Sequence, residues 1–351
     1  MEQIEGVKLT QFAHGAGCGC KIDPQALDEI LKTNTSQAQF PQLLVGNSSK
    51  DDAAVFQLNE KEALISTTDF FTPIVNDAYT YGMVSAANAI SDVYAMGGTP
   101  ILALAILGWP VEKLPTSLAQ QVLEGARAIC SEAKIPLAGG HSIDTPEPLF
   151  GLSVQGKVEL QHLKKNNTAK QNDWLLLSKP IGVGVLATAV KRALIHAEDL
   201  EILHHQLVQL NKIGAQLGKL SGVHALTDIT GFGLAGHVME MAEGSGLSAE
   251  LYYEAIPKLF VKNYLAQNCI PDATYRNWRS YGNKIQLGGT VNTLEAFQLL
   301  PDPQTNGGLL MAVAPEHLDE VQEVLRSQGY ASFTQPIGKM IKQQEKVIHI
   351  V

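Results

Sequence analysis

Apolar positions in the first half of the chain follow two periods, one typical of strands and one typical of helices. They predict strands at residues 53–58, 63–67, 99–107, 135–138 and 149–158, and helices at residues 79–96 and 116–134. The first helix ends at Gly97 and Gly98, and Pro115 stands near the start of the second. Before residue 50 the pattern is loose, with one short helix that Asp23 and Pro24 would begin.

The second half repeats this mixture after a polar stretch that has no periodicity. The pattern predicts strands at residues 174–178, 223–226 and 309–313, and helices at residues 184–194, 200–220, 234–243 and 315–327. Because the polar stretch at residues 164–173 separates two mixed halves, we predict an N-terminal domain over residues 1–164 and a C-terminal α/β domain over residues 165–351. The predicted fold class is α/β, of the α+β kind with mixed sheets.

Composition and charge argue against several classes of protein. Of the 351 residues, 45% are hydrophobic and 17% charged, a balance that supports a sizeable core and excludes a disordered chain. A net charge of −9 does not favour a nucleic-acid partner. The apolar run at residues 101–107 is far below the ~18 residues of a membrane span, and residues 1–9 lack the apolar segment of a signal peptide. With four cysteines and no disulfide framework, we expect a cytoplasmic location and no membrane partner.

Several aspartates share one setting, beside small or apolar residues at the edge of a predicted element. They are Asp51, Asp52, Asp69, Asp92 and Asp228. Each alone has an ordinary interpretation as a helix cap, a turn former or half of an ion pair. That ordinary interpretation suits Asp92 less well, because Asp92 follows Asn88 by four residues inside an apolar helix and both face the same side. Dispersed carboxylates of this kind suit Mg²⁺, which takes one or two of them together with substrate phosphates.

Two segments match the dinucleotide pattern G-x-G-x-x-G/A, at residues 182–187 and 231–236. The first is better explained as a helix entry, because Lys179 and Pro180 separate it from the preceding strand. In the second, Asp228 would repel a pyrophosphate unless a metal lay between them, so a metal–phosphate site fits better. The loops at residues 139–142 and 302–308 are either plain turns or further ligand loops.

The segment HGAGCGCKI at residues 14–22 is the most unusual in the chain. It is not a P-loop, yet a glycine loop with one lysine, Lys21, can cradle phosphate. Cys18, flanked by glycines, is a candidate nucleophile. A metal site of His14, Cys18 and Cys20 is less well supported, because no second cysteine pair completes a zinc tetrahedron.

Together these motifs resemble the selenophosphate synthetase (selenide, water dikinase) family. The superfamily of that family also includes aminoimidazole ribonucleotide synthetase and thiamine-monophosphate kinase, which lack the Cys-Gly-Cys-Lys block. The segments that carry the resemblance are HGAGCGCKI at 14–22, LVGN at 44–47, DDAAV at 51–55, STTDFF at 66–71, NAISDVYAMGG at 88–98, LAGGHSID at 137–144, TDITGFGLAGH at 227–237 and DPQTNGG at 302–308.

The resemblance implies a two-domain subunit of the aminoimidazole ribonucleotide synthetase-like architecture. In that architecture the N-terminal domains pair their sheets into a dimer barrel, and residues 1–50 would form a mobile lid. The implied reaction converts ATP, selenide and water to selenophosphate, AMP and phosphate, with Mg²⁺ required and K⁺ as activator. A homodimer and a selenium-delivery protein are the implied partners.

The resemblance also implies roles for individual residues. Asp52, Asp92 and Asp228 would hold Mg²⁺, and Lys21 and Cys18 would be catalytic, with Lys21 also touching the phosphates. The nucleotide would further be lined by Ser49, Lys50, Asp51, Asp69 and Asp92, and by Gly140, His141 and Ser142 from the partner subunit. One departure from the family pattern is Asn306, where other members carry serine.

Two other interpretations stay open from the sequence. One is a small-molecule kinase of the same superfamily, such as one acting on thiamine monophosphate, for which the Cys-Gly-Cys-Lys block has no use. The other is a non-catalytic selenium carrier using Cys18 and Cys20, which leaves Asp52, Asp92 and Asp228 unexplained.

Overall fold

The computed structural model describes residues 7–13, 15–20, 29–30, 40–47 and 51–351. In this part of the chain the first sheet has the strand order β1-β2-β3-β6-β4-β5. Its strands are β1 (Leu43–Val45), β2 (Ala54–Gln57), β3 (Glu62–Phe71), β4 (Thr99–Trp109), β5 (Leu137–Asp144) and β6 (Leu149–Glu159). Neighbouring strands are antiparallel except for the β4–β5 pair, which is parallel and leaves β5 at an edge.

A second mixed sheet follows in the order β10-β13-β9-β12-β7-β11-β8. Its strands are β7 (Trp174–Leu177), β8 (Val223–Asp228), β9 (Leu247–Leu251), β10 (Ile285–Leu287), β11 (Leu309–Val313), β12 (Gly338–Lys342) and β13 (Ile348–Ile350). The helices of the fold are α1 (Ala78–Ala95), α2 (Thr116–Glu132), α3 (Val183–Lys191), α4 (Ala197–Val208), α5 (Gly214–Leu217), α6 (Gly233–Gly244), α7 (Lys262–Ala266), α8 (Asp272–Tyr281), α9 (Thr293–Leu299) and α10 (Leu318–Ser327).

Helix α1 lies between the two sheets and is buried along almost its whole length. It begins at Asp77, whose side chain accepts a hydrogen bond from the Thr80 amide, as expected of an aspartate N-cap. It packs against β3, β6 and α2 on one side and against α4 and β8 on the other. A hydrogen bond of 2.7 Å from Asn211 Nδ2 to Ser91 Oγ joins it to the second half. One apolar core therefore runs through both halves.

The other face of the first sheet is open and partly apolar. Strand register places these side chains on that face: Leu43, Phe56, Phe70, Leu104 and Ile143, all of them exposed. A sheet face that carries this much exposed apolar surface is characteristic of an interaction surface.

The mixed α/β architecture predicted from the sequence is confirmed, and two local predictions are wrong. The helix predicted over 200–220 stops at Val208, because the carbonyl of Gln209 turns away to accept hydrogen bonds from Lys179 and Asn306. The loop predicted at 139–142 is part of strand β5. There Gly140 has φ +151°, and a Cβ would stand 2.0 Å from the Ala105 carbonyl oxygen, so glycine lets β5 approach β4.

Two further sequence predictions concern the short N-terminal helix and membrane-spanning segments. The short helix predicted to begin at Asp23 falls largely outside the described residues. Among the helices that the structure describes, none combines the length and the apolar character needed to cross a bilayer.

Helices α1 and α2 approach each other through a pair of glycines. A Cβ on Gly125 would stand 1.9 Å from the Tyr79 carbonyl oxygen, and one on Gly82 would stand 1.9 Å from the Val122 carbonyl oxygen. We expect Gly125→Ala to force the helices apart and to lower the free energy of unfolding by about 1–3 kcal/mol. Denaturant unfolding would measure this, with Gly289→Ala, where a Cβ meets open space, as the matched control. Equal stability of the two variants would contradict the close contact.

Candidate active site

Carboxylates from three separate parts of the chain face one another between the two sheets. Asp51 and Asp52 lie just before β2, separated from it by Ala53, Asp92 lies in the last turn of α1, and Asp228 is the last residue of β8. Burial raises the pKa of Asp52 well above its usual range, and the charges of Asp228, Asp51 and Asp92 raise it further. The fold therefore brings together the three aspartates that the sequence assigned to a metal, with Asp51 beside them.

Two threonine hydroxyl groups hold this carboxylate cluster in place. Thr227 Oγ1 donates to Asp52 Oδ1 at 2.7 Å, and Thr67 Oγ1 donates to Asp92 Oδ2 at 2.5 Å. The second oxygen of Asp52 is buried, and nothing in the described part of the chain donates a hydrogen bond to it. A buried carboxylate oxygen left in this condition is costly unless a cation or a donor from a ligand reaches it.

The cluster fits a magnesium ion that is shared with phosphates. No three histidine, cysteine, aspartate or glutamate side chains among the described residues lie close enough to hold a metal by themselves. Mg²⁺ does not need them, because it takes one or two carboxylates and completes its shell with water and phosphate oxygens. The buried Asp52 Oδ2 and the all-oxygen donor set match that preference.

A chain of hydrogen bonds connects Asp69 to the second half of the molecule. Asn88 Nδ2 donates to Asp69 Oδ2 at 2.7 Å, and Asn88 Oδ1 accepts from the Asn306 amide at 2.7 Å. The Asn306 carbonyl in turn accepts from Lys179 Nζ at 2.9 Å. Asn88 thus lies on the buried side of α1, as the sequence suggests, and its amide group binds Asp69 in β3.

Lys179 is completely buried near the acidic cluster. Its ammonium group donates to the carbonyls of Gln209 and Asn306, at 2.7 and 2.9 Å. Burial lowers the pKa of Lys179 to about 7, against the opposing effect of the Asp228 charge. A positive charge at this depth partly balances the carboxylates.

Asp51 is half-buried where the two halves meet. Its carboxylate accepts hydrogen bonds from the amides of Asp52 and Asn166, the first at 3.1 Å and the second at 3.3 Å. Burial raises its pKa to about 6 although these bonds and the charge of Lys165 oppose the shift. Near neutral pH Asp51 therefore carries a proton more often than an exposed aspartate does.

The loop at residues 302–308 is buried and structural. Asp302 Oδ2 accepts from the Gly184 amide at 3.0 Å, and Gln304 Oε1 accepts from the amides of Gly182 and Val183. The first amides of α3 are therefore already bound, which supports the interpretation of residues 182–187 as a helix entry. Asn306 sits in the left-handed region with φ +48° and donates from Nδ2 to the Leu207 and Gln209 carbonyls. Most of the loop's polar groups are therefore used within the fold, although Asp302 Oδ1 and Asn306 Oδ1 accept no hydrogen bond from the described part of the chain.

The predicted catalytic segment is described only in part. Cys18 lies in a short 3-10 helix, Gly17–Cys20, of which the backbone alone is described at Cys18 and Cys20. A cavity of about 740 Å³ borders this turn. The predicted residues outside the described part of the chain are His14, Lys21, Ser49 and Lys50.

The remaining predicted residues are remote from the cluster within one chain. Gly140, His141 and Ser142 lie on edge strand β5, which is exposed along nearly its whole length. Three strand spacings separate β5 from β3, which amounts to about 14 Å. These residues therefore do not join Asp69 within the same chain.

The sequence reasoning missed the residues that hold the acids in place. They are Thr67, Thr227, Lys179 and Asn306. Thr67 and Thr227 each stand within two residues of an aspartate in the motifs TTD and TD, which was a usable signal. Lys179, two residues after the apolar strand end at Leu177, was another. No sequence signal pointed to Asn306, because its partners are about 100 and 218 residues away in the chain.

Comparison with known proteins places these features in a family. Residues 50–158 match the family described as AIR synthase related protein, N-terminal domain, and residues 170–351 match the corresponding C-terminal domain. The chain is 52% identical over 348 residues to a selenide, water dikinase of Pseudomonas putida, with 99% of each chain covered.

Solved structures show the same fold at low sequence identity. Thiamine-monophosphate kinase from Stenotrophomonas maltophilia has a TM-score of 0.64 at 19% identity, covering 88% of this chain and 91% of its own. The hydrogenase maturation protein HypE in complex with ATP has a TM-score of 0.62 at 18% identity, covering 89% of this chain and 87% of its own. At such identities the likeness concerns the fold alone.

The raised carboxyl pKa values predict that Mg²⁺ binding releases protons. With the pKa of Asp51 near 6 and that of Asp52 well above its usual range, the metal-free cluster carries protons near pH 6, and Mg²⁺ must displace them. We expect the affinity for Mg²⁺ to rise as the pH increases through 6. Calorimetric titrations in two buffers of different ionisation enthalpy would measure the protons released.

Asp52→Asn should reduce this proton release, whereas Asp319→Asn, on the exposed face of α10, should leave it unchanged. The stability of the metal-free protein depends on pH in the opposite direction to the affinity for Mg²⁺. The raised pKa of Asp51 stabilises the fold below about pH 4, and this contribution disappears as the pH rises through 6. A binding enthalpy that does not depend on the buffer would contradict the prediction.

Proposed function

The chain belongs to the selenide, water dikinase family, and on that premise we propose that it converts ATP, selenide and water to selenophosphate, AMP and phosphate. The observation that carries the proposal is the near-full-length similarity to a curated dikinase. The kinase and carrier interpretations are less well supported. The likeness to thiamine-monophosphate kinase concerns the fold alone, and a carrier has no use for a buried carboxylate cluster.

We propose that the carboxylate cluster binds the phosphates of ATP through Mg²⁺. Asp52, Asp92 and Asp228 would hold Mg²⁺ together with water and phosphate oxygens, with Thr227 fixing an oxygen of Asp52 and Thr67 one of Asp92. Bound there, Mg²⁺ would neutralise the charge that develops during phosphoryl transfer. Because the carboxylates come from both halves of the molecule, the site is complete only when the halves are packed together. We divide these halves at residues 164 and 165.

The nucleotide would extend from the cluster along the first sheet. Asp51 and Asp69 stand at the ends of β2 and β3 that lie nearest the cluster, and each is fixed by hydrogen bonds to the backbone or to Asn88. Ser49 and Lys50, which immediately precede Asp51, would complete this wall. Lys21 would contact the phosphates.

We assign the catalytic thiol to Cys18, in a turn that precedes Lys21 by only three positions. Residues 1–50 would act as a lid, because selenide must meet ATP away from water in the first transfer while water must enter for the second. K⁺ would act as an activator, the enzyme would act in the cytoplasm, and a delivery protein would supply selenium.

We further propose that the enzyme is a homodimer joined through the open face of the first sheet. That face exposes Phe56, Leu104 and Ile143, and pairing two such sheets would bury them. Gly140, His141 and Ser142 lie on its edge strand, about 14 Å from β3 across the sheet. Across a two-fold interface the same strand could reach the partner's nucleotide, which would explain how these residues contribute to the site.

Phosphorus NMR tests the reaction directly. With ATP, Mg²⁺ and K⁺ under anaerobic conditions, we expect AMP, phosphate and a new phosphorus resonance with selenium coupling to form only when selenide is present. Asp228→Asn should lower the turnover at least about 100-fold, because it removes a charge that holds the metal, whereas Asp319→Asn should leave it unchanged. Formation of ADP that does not depend on selenide would contradict the proposal and favour an ordinary kinase.

The interface can be tested without activity. Leu104→Asp places a charge in the centre of the open face, and we expect it to convert the dimer to a monomer in light scattering coupled to size-exclusion chromatography. Leu294→Asp, on α9 in the second half and 66% exposed, is the matched control. A monomeric wild-type protein, or a dimer that survives Leu104→Asp, would refute this interface.

A further inference from the structure

The turn that carries Cys18 has almost no side chains with which to anchor itself. Between residues 15 and 19 three of the five residues are glycine. Such a segment loses much conformational freedom when it is ordered, so its position depends on bonds made to its backbone. The described backbone contacts are therefore what determine where Cys18 is presented.

Two cationic side chains from the second half bind this backbone from opposite ends. Lys191 Nζ, at the end of α3, donates to the Ala13 carbonyl at 3.0 Å and lies 3.5 Å from the Gly15 carbonyl. Arg276 Nη2, on α8, donates to the Gly19 carbonyl at 2.8 Å. Among the described residues Arg276 forms no ion pair within 4.0 Å, so this carbonyl is its principal partner.

The middle of the turn is seated against the first half. The Gly17 amide donates to the Thr72 carbonyl at 3.1 Å, directly after β3. Gly17 has φ +52°, and a Cβ there would stand 2.5 Å from Thr305 Oγ1 and 2.7 Å from Ile74 Cδ1. Position 17 therefore accepts only glycine, because any side chain would be strained by this φ and would clash with Thr305 and Ile74.

The rest of the turn borders open space. The cavity of about 740 Å³ beside it is lined by Gly15, Ala16 and Gly19 as well as by Lys191 and Arg276. The cavity leaves part of this side of the turn without packing, although Pro303 and Ala273 lie near Gly19, so the hydrogen bonds from the two cations contribute to anchoring it there. A hydrogen bond from a charged donor to a carbonyl is stronger than one from a neutral donor, so Lys191 and Arg276 are suited to hold the turn in place.

We propose that Lys191 and Arg276 are positioning residues that clamp residues 13–19 and thereby fix the place of Cys18. The clamp itself follows from the contacts, and its effect on turnover rests on the proposed function. Neither side chain touches a reacting atom in this assignment. Both act through the backbone of the turn.

Hydrogen exchange followed by mass spectrometry tests the clamp independently of activity. In Lys191→Gln and Arg276→Gln, we expect the peptide that covers residues 13–20 to exchange about tenfold faster, because a charge-assisted bond is lost. Exchange elsewhere should be unchanged. Arg279→Gln is the matched control, because Arg279 lies one turn further along α8, is exposed, and within the described residues donates to the Tyr275 carbonyl alone. Unchanged exchange of the peptide in both clamp variants would overturn the proposal.

Kinetics test the consequence for catalysis. Both clamp variants should lose selenide-dependent kcat while KM for ATP changes little, because the carboxylate cluster is untouched. Lys191→Arg and Arg276→Lys keep a charged donor, so they should recover most of the loss. Faster exchange with full kcat would overturn the positioning role. If the wild-type protein makes no selenophosphate the proposed function fails, whereas the exchange result still decides whether the clamp exists.

Discussion

Repulsion among buried carboxylates is the interaction on which the rest of this structure depends. Two like charges about 6 Å apart cost about 3 kcal/mol at an effective dielectric constant of 20. Asp52 meets this repulsion from three neighbours and carries a buried oxygen for which the described chain provides no donor. A fold selected for stability alone would not place these groups together. The arrangement is understandable if a cation and its ligand complete it, since stability is commonly sacrificed at functional sites.

Helix α1 makes the arrangement possible. A helix buried between two sheets has few ways to relax, because its shifts must be accommodated by packed neighbours on every side. From this one element Asp92 reaches the cluster, Asn88 connects Asp69 with the 302–308 loop, and Ser91 is bonded to Asn211. The glycine contact with α2 fixes the depth of the helix as well. The packing of this one helix therefore fixes Asp92, Asn88 and Ser91 relative to the groups that the strands supply.

The sequence singled out the aspartates of the cluster but not the residues that support them. Aspartates such as Asp92 stand out because burying an ionised side chain among apolar residues is costly, and this can be recognised in a short stretch of sequence. Thr67 and Thr227 stand out less, because threonine is common in strands and only the neighbouring aspartate distinguishes them. The break after Val208 was invisible because the groups that capture the Gln209 carbonyl are Lys179 and Asn306, which come from distant parts of the chain. The strand predicted at 135–138 ended too early for a similar reason, since β5 runs to Asp144. Its glycines look like a turn until β4 is placed beside them.

The two parts of the site differ in how they are held, and the difference suits their tasks. The carboxylates sit on a packed helix and on strand ends, so they stay in place while phosphates arrive and leave. The Cys18 turn instead consists largely of glycine and is held by Lys191 and Arg276 beside open space. Hydrogen bonds from flexible side chains can be broken and remade without disturbing a core, whereas a packed wall cannot. If residues 1–50 act as the proposed lid, the proposed reaction, which excludes water for one acceptor and admits it for the next, needs a rigid anchor for the nucleotide and a releasable one for that segment.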